Sequence, residues 1–283
     1  MSIDATSTES LEGKLLPGSQ PESGSSDASQ ARGSFLTHAA IYGIGSLALQ
    51  AATVLLVPLY TQCLKPAEFG VLEVLTRVGE IFSICLLVHG VRMAGFTFYC
   101  QAEDEAERKR TAATIVIAPM FLLVVCGLAA EAFSSNLAHL IGIDDAGVVA
   151  FAILMIIAEG TTVAPLSLIQ ARVESSYFIF VMAMMFCCRL GLTVFLVVFL
   201  HWGLWGVLMA TTATSLIFGV ILNWRELRRS TVALDWTRLW EVLAFSLPFV
   251  PAGLCNMVIH NGDRFFLMRY CGADAVGIYA LGY

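Results

Sequence analysis

Charge is scarce in this 283-residue chain. Asp, Glu, Lys and Arg make up 13% of it, where soluble domains carry about 25%. Hydrophobic residues reach 58%, and the few charges cluster between apolar runs instead of being spread along them. Those two facts exclude an ordinary soluble domain. The motifs of nucleotide and hydrolytic chemistry are also missing: no P-loop, no Gly-rich dinucleotide turn, no Ser/His/Asp arrangement at recognisable spacing. Without a nucleotide site, uphill work would have to come from an ion or substrate gradient. The eight cysteines (63, 85, 100, 126, 187, 188, 255 and 271) form no CxxC or Cys/His pattern. Most sit in apolar runs, where Cys behaves as a small hydrophobe. No metal, cofactor or disulfide framework is expected, and no nucleic-acid partner. The external connections, about 63–70, 134–146 and 201–202, leave no sizeable catalytic loop of the kind a membrane enzyme that joins sugars would carry. The reading is therefore not an enzyme.

What the chain does have is long apolar runs, at 39–62, 71–98, 112–133, 147–169, 177–200, 203–223 and 240–262, with an eighth starting near 276. About 20 apolar residues cross the ~30 Å of bilayer hydrocarbon, and several runs exceed the usual length of a core helix. The fold class expected is all-α, a polytopic bundle of transmembrane helices. Residues 1–37 differ: nine are Ser, and Gly and Pro break any periodicity. Such a stretch buries too little apolar surface to offset its ordering entropy, so a disordered tail is expected. It lacks the basic and apolar regions of a signal peptide. The division is a tail over 1–37, a first six-span bundle over 38–224, a basic linker over 225–239, and span 7 with the start of span 8 over 240–283.

Orientation follows Lys and Arg near span ends. The tail and the loops after spans 2, 4 and 6 hold ten of them (Lys14, Arg32, Arg108, Lys109, Arg110, Arg172, Arg225, Arg228, Arg229 and Arg238). The opposite loops hold Lys65, Arg264 and Arg269. Ten against three places the N-terminus in the cytoplasm. The remaining three, Arg77, Arg92 and Arg189, lie within spans.

The chain also repeats itself. Pro66-Ala67-Glu68-Phe69-Gly70-Val71 aligns with Ala273-Asp274-Ala275-Val276-Gly277-Ile278, 207 positions later. Each copy follows an apolar run and leads into another, with about six spans from one to the next. That period suggests a transporter of two similar six-helix bundles, the second incomplete in this chain.

Each ionisable group inside a span costs roughly 2.5–3.5 kcal/mol on insertion scales and needs a reason. Glu73, Arg77 and Glu80 fall within roughly 60° of one helical face, so Arg77 can pair with either carboxylate. That face cannot look at lipid. Arg77 could meet an anionic substrate while Glu80 carries a coupling ion, or the three could form a structural triad. Arg92 could contact substrate or snorkel to the headgroups, and His89 reads as an interior histidine. Glu159 stands in ILMIIAEGTTVAPL, followed by Gly160, two threonines and Pro165. It is a candidate for ion coupling, or simply a partner for Arg189 in span 5. In span 7, Pro248 and Pro251 imply a kink. Asp263-Arg264 reads as a coupling and substrate pair or as an interfacial ion pair.

Two segments carry a resemblance. LPFVPAGL...DRFFLMRYCGADAVGIYALGY (Leu247 to Tyr283) resembles the start of the second half of bacterial oligosaccharide flippases, often called polysaccharide biosynthesis proteins. These belong to the multidrug/oligosaccharidyl-lipid/polysaccharide exporter superfamily. YGIGSLALQAATVLLVPLYTQCLKPAEFGVLEVL looks like the family's first span and loop, and the likeness covers about 35–283. It implies 12 to 14 spans in two bundles around a central cavity. It also implies alternating-access movement of undecaprenyl-diphosphate-linked sugar units between the leaflets of the bacterial inner membrane. By that resemblance Arg77, Arg92, Arg189 and Arg264 are candidates for the diphosphate, since guanidinium pairs with phosphate through charge-assisted bonds. Glu80, Glu159 and Asp263 are the coupling candidates. The partners expected are lipid-linked oligosaccharide, membrane lipids, and polysaccharide polymerase or export proteins or a second bundle. The family continues well beyond the point where this chain ends, so a fragment or a need for a partner is expected. A drug/cation antiporter of the same superfamily and a non-transporting accessory subunit are the alternatives. The in-span arginines lean against the antiporter.

Overall fold

The computed structural model describes residues 43–45, 47, 62–102, 104–143, 145–230 and 235–282, all within one compact unit, Ile41–Tyr283. The tail and nearly all of the first span lie outside the described residues, as does the side chain of His89. The described residues are helical, with no strand among them.

Ten helices follow: α1 Pro66–Cys85, α2 Val88–Gln101, α3 Glu105–Ala132, α4 Ser134–Ile141, α5 Ala146–Ala171, α6 Ser175–Val194, α7 Gly203–Arg229, α8 Trp236–Ser246, α9 Phe249–Cys271 and α10 Ala273–Gly282. Their ends are set by local chemistry. Pro66 opens α1, its fixed φ suited to a first helical position, and the Glu68 carboxylate accepts the Lys65 backbone N–H at 3.1 Å. Asp145 caps α5 through Gly147 N–H at 2.8 Å. Asp235 caps α8 through Thr237 and Arg238. Each supplies an acceptor for backbone donors that a helix start leaves open.

Among the described residues, five segments are long and apolar enough to cross a bilayer: Glu105–Ala132, Ala146–Ala171, Ser175–Phe199, Gly203–Arg229 and Trp236–Cys271. The third includes a π-helical turn, Phe195–Phe199, that continues α6. This is a multi-pass membrane architecture. Spans 3 to 6 follow the apolar runs closely, although α7 carries its helix on through Arg229. Spans 2 and 7 are each interrupted. The apolar run 71–98 divides into α1 and α2 at Leu86–Leu87, where Leu87 takes φ 60°. Span 7 divides into α8 and α9 at Leu247–Pro248, where proline withholds a backbone donor.

The two breaks lie side by side. A Cβ on Gly90 would be 2.5 Å from Ser246 Cβ, and one on Gly253 would be 3.0 Å from Ile84 Cγ2. Between them is a cavity of about 270 Å³ reached by Glu80, Ile84, Leu87, Ser246 and Asn256. The main apolar core joins Val74, Leu75 and Val78 of α1 to Val149 and Ile153 of α5, Leu208 of α7, Met268 of α9 and Val276 of α10.

The internal repeat packs against itself. Where α1 crosses α10, a Cβ on Gly70 would fall 1.9 Å from the Ala273 carbonyl oxygen, and one on Gly277 would fall 2.1 Å from that of Pro66. Pro66 and Gly70 are the aligned counterparts of Ala273 and Gly277. The contact is therefore reciprocal, as across a two-fold axis. Small residues let helix backbones approach in this way where lipid supplies no hydrophobic drive between helices.

Candidate functional site

Beside that crossing, the i, i+4, i+7 face of α1 meets α9. Arg77 bonds both of its carboxylates, Glu73 at 2.9 Å and Glu80 at 3.0 Å. Glu73 also forms an ion pair with Arg264, its Oε1 lying 2.9 Å from Nε. Arg264 is 5% exposed, so the pair is removed from solvent. Its Nη1 donates to Asn261 Oδ1 at 3.1 Å, and Asn261 Nδ2 reaches Glu80 at 3.5 Å. The result is a closed ring, Glu73–Arg77–Glu80–Asn261–Arg264. Asp263 accepts from the Arg264 backbone N–H at 2.9 Å and from the Tyr279 hydroxyl of α10. The Arg264 guanidinium also lies 5.9 Å from the centre of the Tyr279 ring. The ring thus ties the first copy of the repeat to the helices on either side of the second.

Arg264 is therefore more than the partner of Asp263, and Glu73 is the junction of the ring. The spacing of Glu73, Arg77 and Glu80 announces their own pairing. Nothing in the sequence brings Glu73 to Arg264 except the repeat, which makes the two segments neighbours. Asn261 and Tyr279 carry no signal that would have singled them out.

Glu159 and Arg189 also pair, at 2.7 Å between Oε1 and Nη2. The same Nη2 is 3.5 Å from Ser215 Oγ of α7. This pair sits near the middle of α5 and α6, and its side chains are 42% and 33% exposed. Arg92 joins neither group. It lies exposed on α2, 3.5 Å from Gln170.

A third network closes the other end of the bundle. Glu226 is 0% exposed and holds Arg172 at 2.7 Å and Arg225 at 3.1 Å. Glu174 holds Arg225 at 2.6 Å and Arg229 at 3.1 Å. Arg225 stacks 3.9 Å from the centre of the Tyr177 ring, and Arg172 Nε donates to the Tyr99 hydroxyl at 3.1 Å. Burial pushes the Glu174 carboxyl up, but the hydrogen bond and charge of Arg225, with Arg229, outweigh it and hold the group below its usual range. From the sequence these arginines read as orientation signals, and neither Glu174 nor Glu226 stood out. Both carboxylates lie at span ends, where a charge is ordinarily solvated.

In chemical terms the ring and the third network are cross-linked: each carboxylate has at least one arginine within ion-pair distance, and each network joins several helices. The Glu159–Arg189 pair is a single contact open to the surroundings. No curated protein and no solved structure gives a match. The family model for Polysaccharide biosynthesis protein matches residues 61–283, which takes in all three networks and both helix breaks, and the chain belongs to that family.

Proposed function

We propose that this chain is the first bundle and the start of the second bundle of a transporter that flips undecaprenyl-diphosphate-linked oligosaccharide from the cytoplasmic to the periplasmic leaflet during surface polysaccharide biosynthesis. It would sit in the bacterial inner membrane with its N-terminus in the cytoplasm. The observation that carries this reading is the reciprocal Gly70–Gly277 contact, with the Glu73–Arg264 pair beside it. Two copies of one segment meeting in this way fit a transporter whose halves rock against each other around a shared cavity. With the N-terminus inside, the contact lies at the outer end, so the ring would close the outer side. Opening outward requires Glu73 and Arg264 to part.

The polar groups left open at mid-depth, Arg189 above all, suit a phosphate-bearing lipid, because a guanidinium fork matches phosphate geometry. The protein's work is binding and movement, with no bond made or broken. Family membership supports the polysaccharide role, and the arginines support the lipid-diphosphate class.

The test is reconstitution of the full gene product in liposomes with a fluorescent polyprenyl-diphosphate sugar, followed by quenching of the outer leaflet. Protein-dependent loss of protection supports the reading. Unchanged protection, together with normal surface polysaccharide in a deletion strain, overturns it.

A further inference from the structure

A cavity of about 420 Å³ opens between α1, α4 and α9. Its walls include Ile81 and Phe82 of α1, Leu137 and Leu140 of α4, and Phe265 of α9, with Arg269 of α9 as its charged group. The size falls within the ~300–1,000 Å³ of small-molecule sites, and apolar walls with a placed polar group are the usual lining of such sites.

The direction of the cavity follows from the pairing of α1 with α9. Gly253 packs against Ile84, and Arg264 pairs with Glu73, so the two helices run in opposite directions. Arg269 therefore stands beside the N-terminal end of α1, on the side of the α1–α10 crossing, and Phe82 stands at the deep end. The steps from Arg264 to Arg269 on α9 and from Glu73 to Phe82 on α1 together come to about 21 Å at ~1.5 Å per residue. One leaflet with its headgroups is about 20–22 Å deep, half the total thickness of a bilayer. The lining thus spans one leaflet, with a cation at headgroup depth and apolar walls at acyl-chain depth.

The cation is available. Arg269 is exposed, and among the described residues no carboxylate pairs with it. Asp263, the acid that precedes it on α9, is held by Arg264 and by the Tyr279 hydroxyl. By contrast, Arg77, Arg172, Arg189, Arg225 and Arg264 each hold a carboxylate. A guanidinium in this position offers a phosphate charge-assisted hydrogen bonds, while its apolar stem lines the slot below. A peptide fits less well. One turn of helix, about 10 Å across and about 5.4 Å tall, already takes up roughly the whole cavity. An extended segment would set backbone donors and acceptors against walls that cannot satisfy them.

We propose that this cavity binds an anionic phospholipid from the leaflet that borders the α1–α10 crossing, with the lipid phosphate on Arg269 and one acyl chain between α1, α4 and α9. A net-negative headgroup is favoured over a zwitterionic one, because the latter brings its own cation to the same rim. The site is distinct from the transported lipid of the flippase reading and depends only on the membrane architecture.

The test uses the full gene product in phosphatidylcholine nanodiscs doped with a trace of phosphatidylglycerol that carries a diazirine on its acyl chain. After irradiation, mass spectrometry maps the labelled residues, and a diazirine-bearing phosphatidylcholine is run in parallel. The phosphatidylglycerol probe should label Phe82, Leu137 and Leu140 about fivefold more than the phosphatidylcholine probe, the preference one basic group gives toward an anionic headgroup. That comparison needs no variant. Arg269→Gln should remove the preference, and Arg269→Lys should keep most of it. Equal labelling by the two probes, or a preference that survives in Arg269→Gln, overturns the proposal. Absence of label on all three residues does the same. Displacement of the label by an equimolar polyprenyl diphosphate also overturns it, and assigns the cavity to the transported lipid instead.

Discussion

Gly70 and Gly277 approach so closely that a Cβ on Gly70 would lie 3.0 Å from the backbone nitrogen of Gly277, and one on Gly277 would lie 3.2 Å from that of Gly70. With the two carbonyl contacts, this leaves no room for a side chain on either helix. The neighbours are backbone atoms, which cannot rotate away. Gly70→Ala or Gly277→Ala should therefore part α1 from α10 at a cost of about 1–3 kcal/mol. The check is the apparent Tm of the purified protein in detergent. A Tm unchanged in both variants would show that the crossing is loose.

The ion pair beside that crossing predicts a different pattern. Removing Glu73 takes away the carboxylate beside Nε of buried Arg264 and leaves Asp263, more distant at 3.5 Å from Nη1, as its ion-pair partner. Glu73→Ala should destabilise by about 3 kcal/mol, more than Glu80→Ala, because Glu80 is the more exposed carboxylate of the ring. Exchanging the charges, Glu73→Arg with Arg264→Glu, should recover part of the loss. Thermal unfolding of the two single variants and the double variant checks this. Strictly additive losses would mean that the two residues do not act as a pair.

Much of this arrangement was legible beforehand, and what was not has physical causes. The apolar runs of spans 3 to 6 became helices within a few residues at most ends, because a bilayer leaves the backbone no other way to satisfy its donors. The division at Pro248 was written in the prolines. The one at Leu86–Leu87 was not: two leucines in an apolar run look helical, and no local residue marks the left-handed turn that Leu87 takes. Among the charges, Glu73, Arg77 and Glu80 show their pairing through helical spacing, and Glu159 with Arg189 through equal depth. Glu226 was invisible. A glutamate among four arginines at a span end reads as solvated, and only the fold turns it inward.

The short link between α5 and α6 offers a test of strain. Val173 adopts φ 58°, a region that a β-branched residue enters only under constraint. The turn lets its neighbours diverge, Arg172 to Glu226 and Glu174 to Arg225 and Arg229. The Val173 side chain is 51% exposed and contributes little packing. Val173→Gly should therefore stabilise the protein by roughly 1 kcal/mol, read as a small rise in apparent Tm. A fall would mean that the valine is held by contacts worth more than the backbone strain.

Glu174 gives the turn a pH dependence with a definite sign. Its carboxyl is held below the ordinary value of 4.5 in the folded protein, because Arg225 and Arg229 favour the charged form by more than burial opposes it. A depressed carboxyl stabilises the fold fully above its unfolded value and loses that contribution as pH falls through the folded one. Acid should therefore loosen the α5–α6–α7 end only below about pH 4.5, by protonating Glu174, which releases Arg229 and leaves Arg225 to Glu226 alone. Hydrogen exchange of the amides around 172–178, followed from pH 6 to pH 3.5 after correction for intrinsic rates, reports the opening. Glu174→Gln should show the loosened pattern at every pH and no further change with acid. An acid transition of equal size in Glu174→Gln would assign the titration to another carboxylate, with Glu226 the first to examine because it shares Arg225.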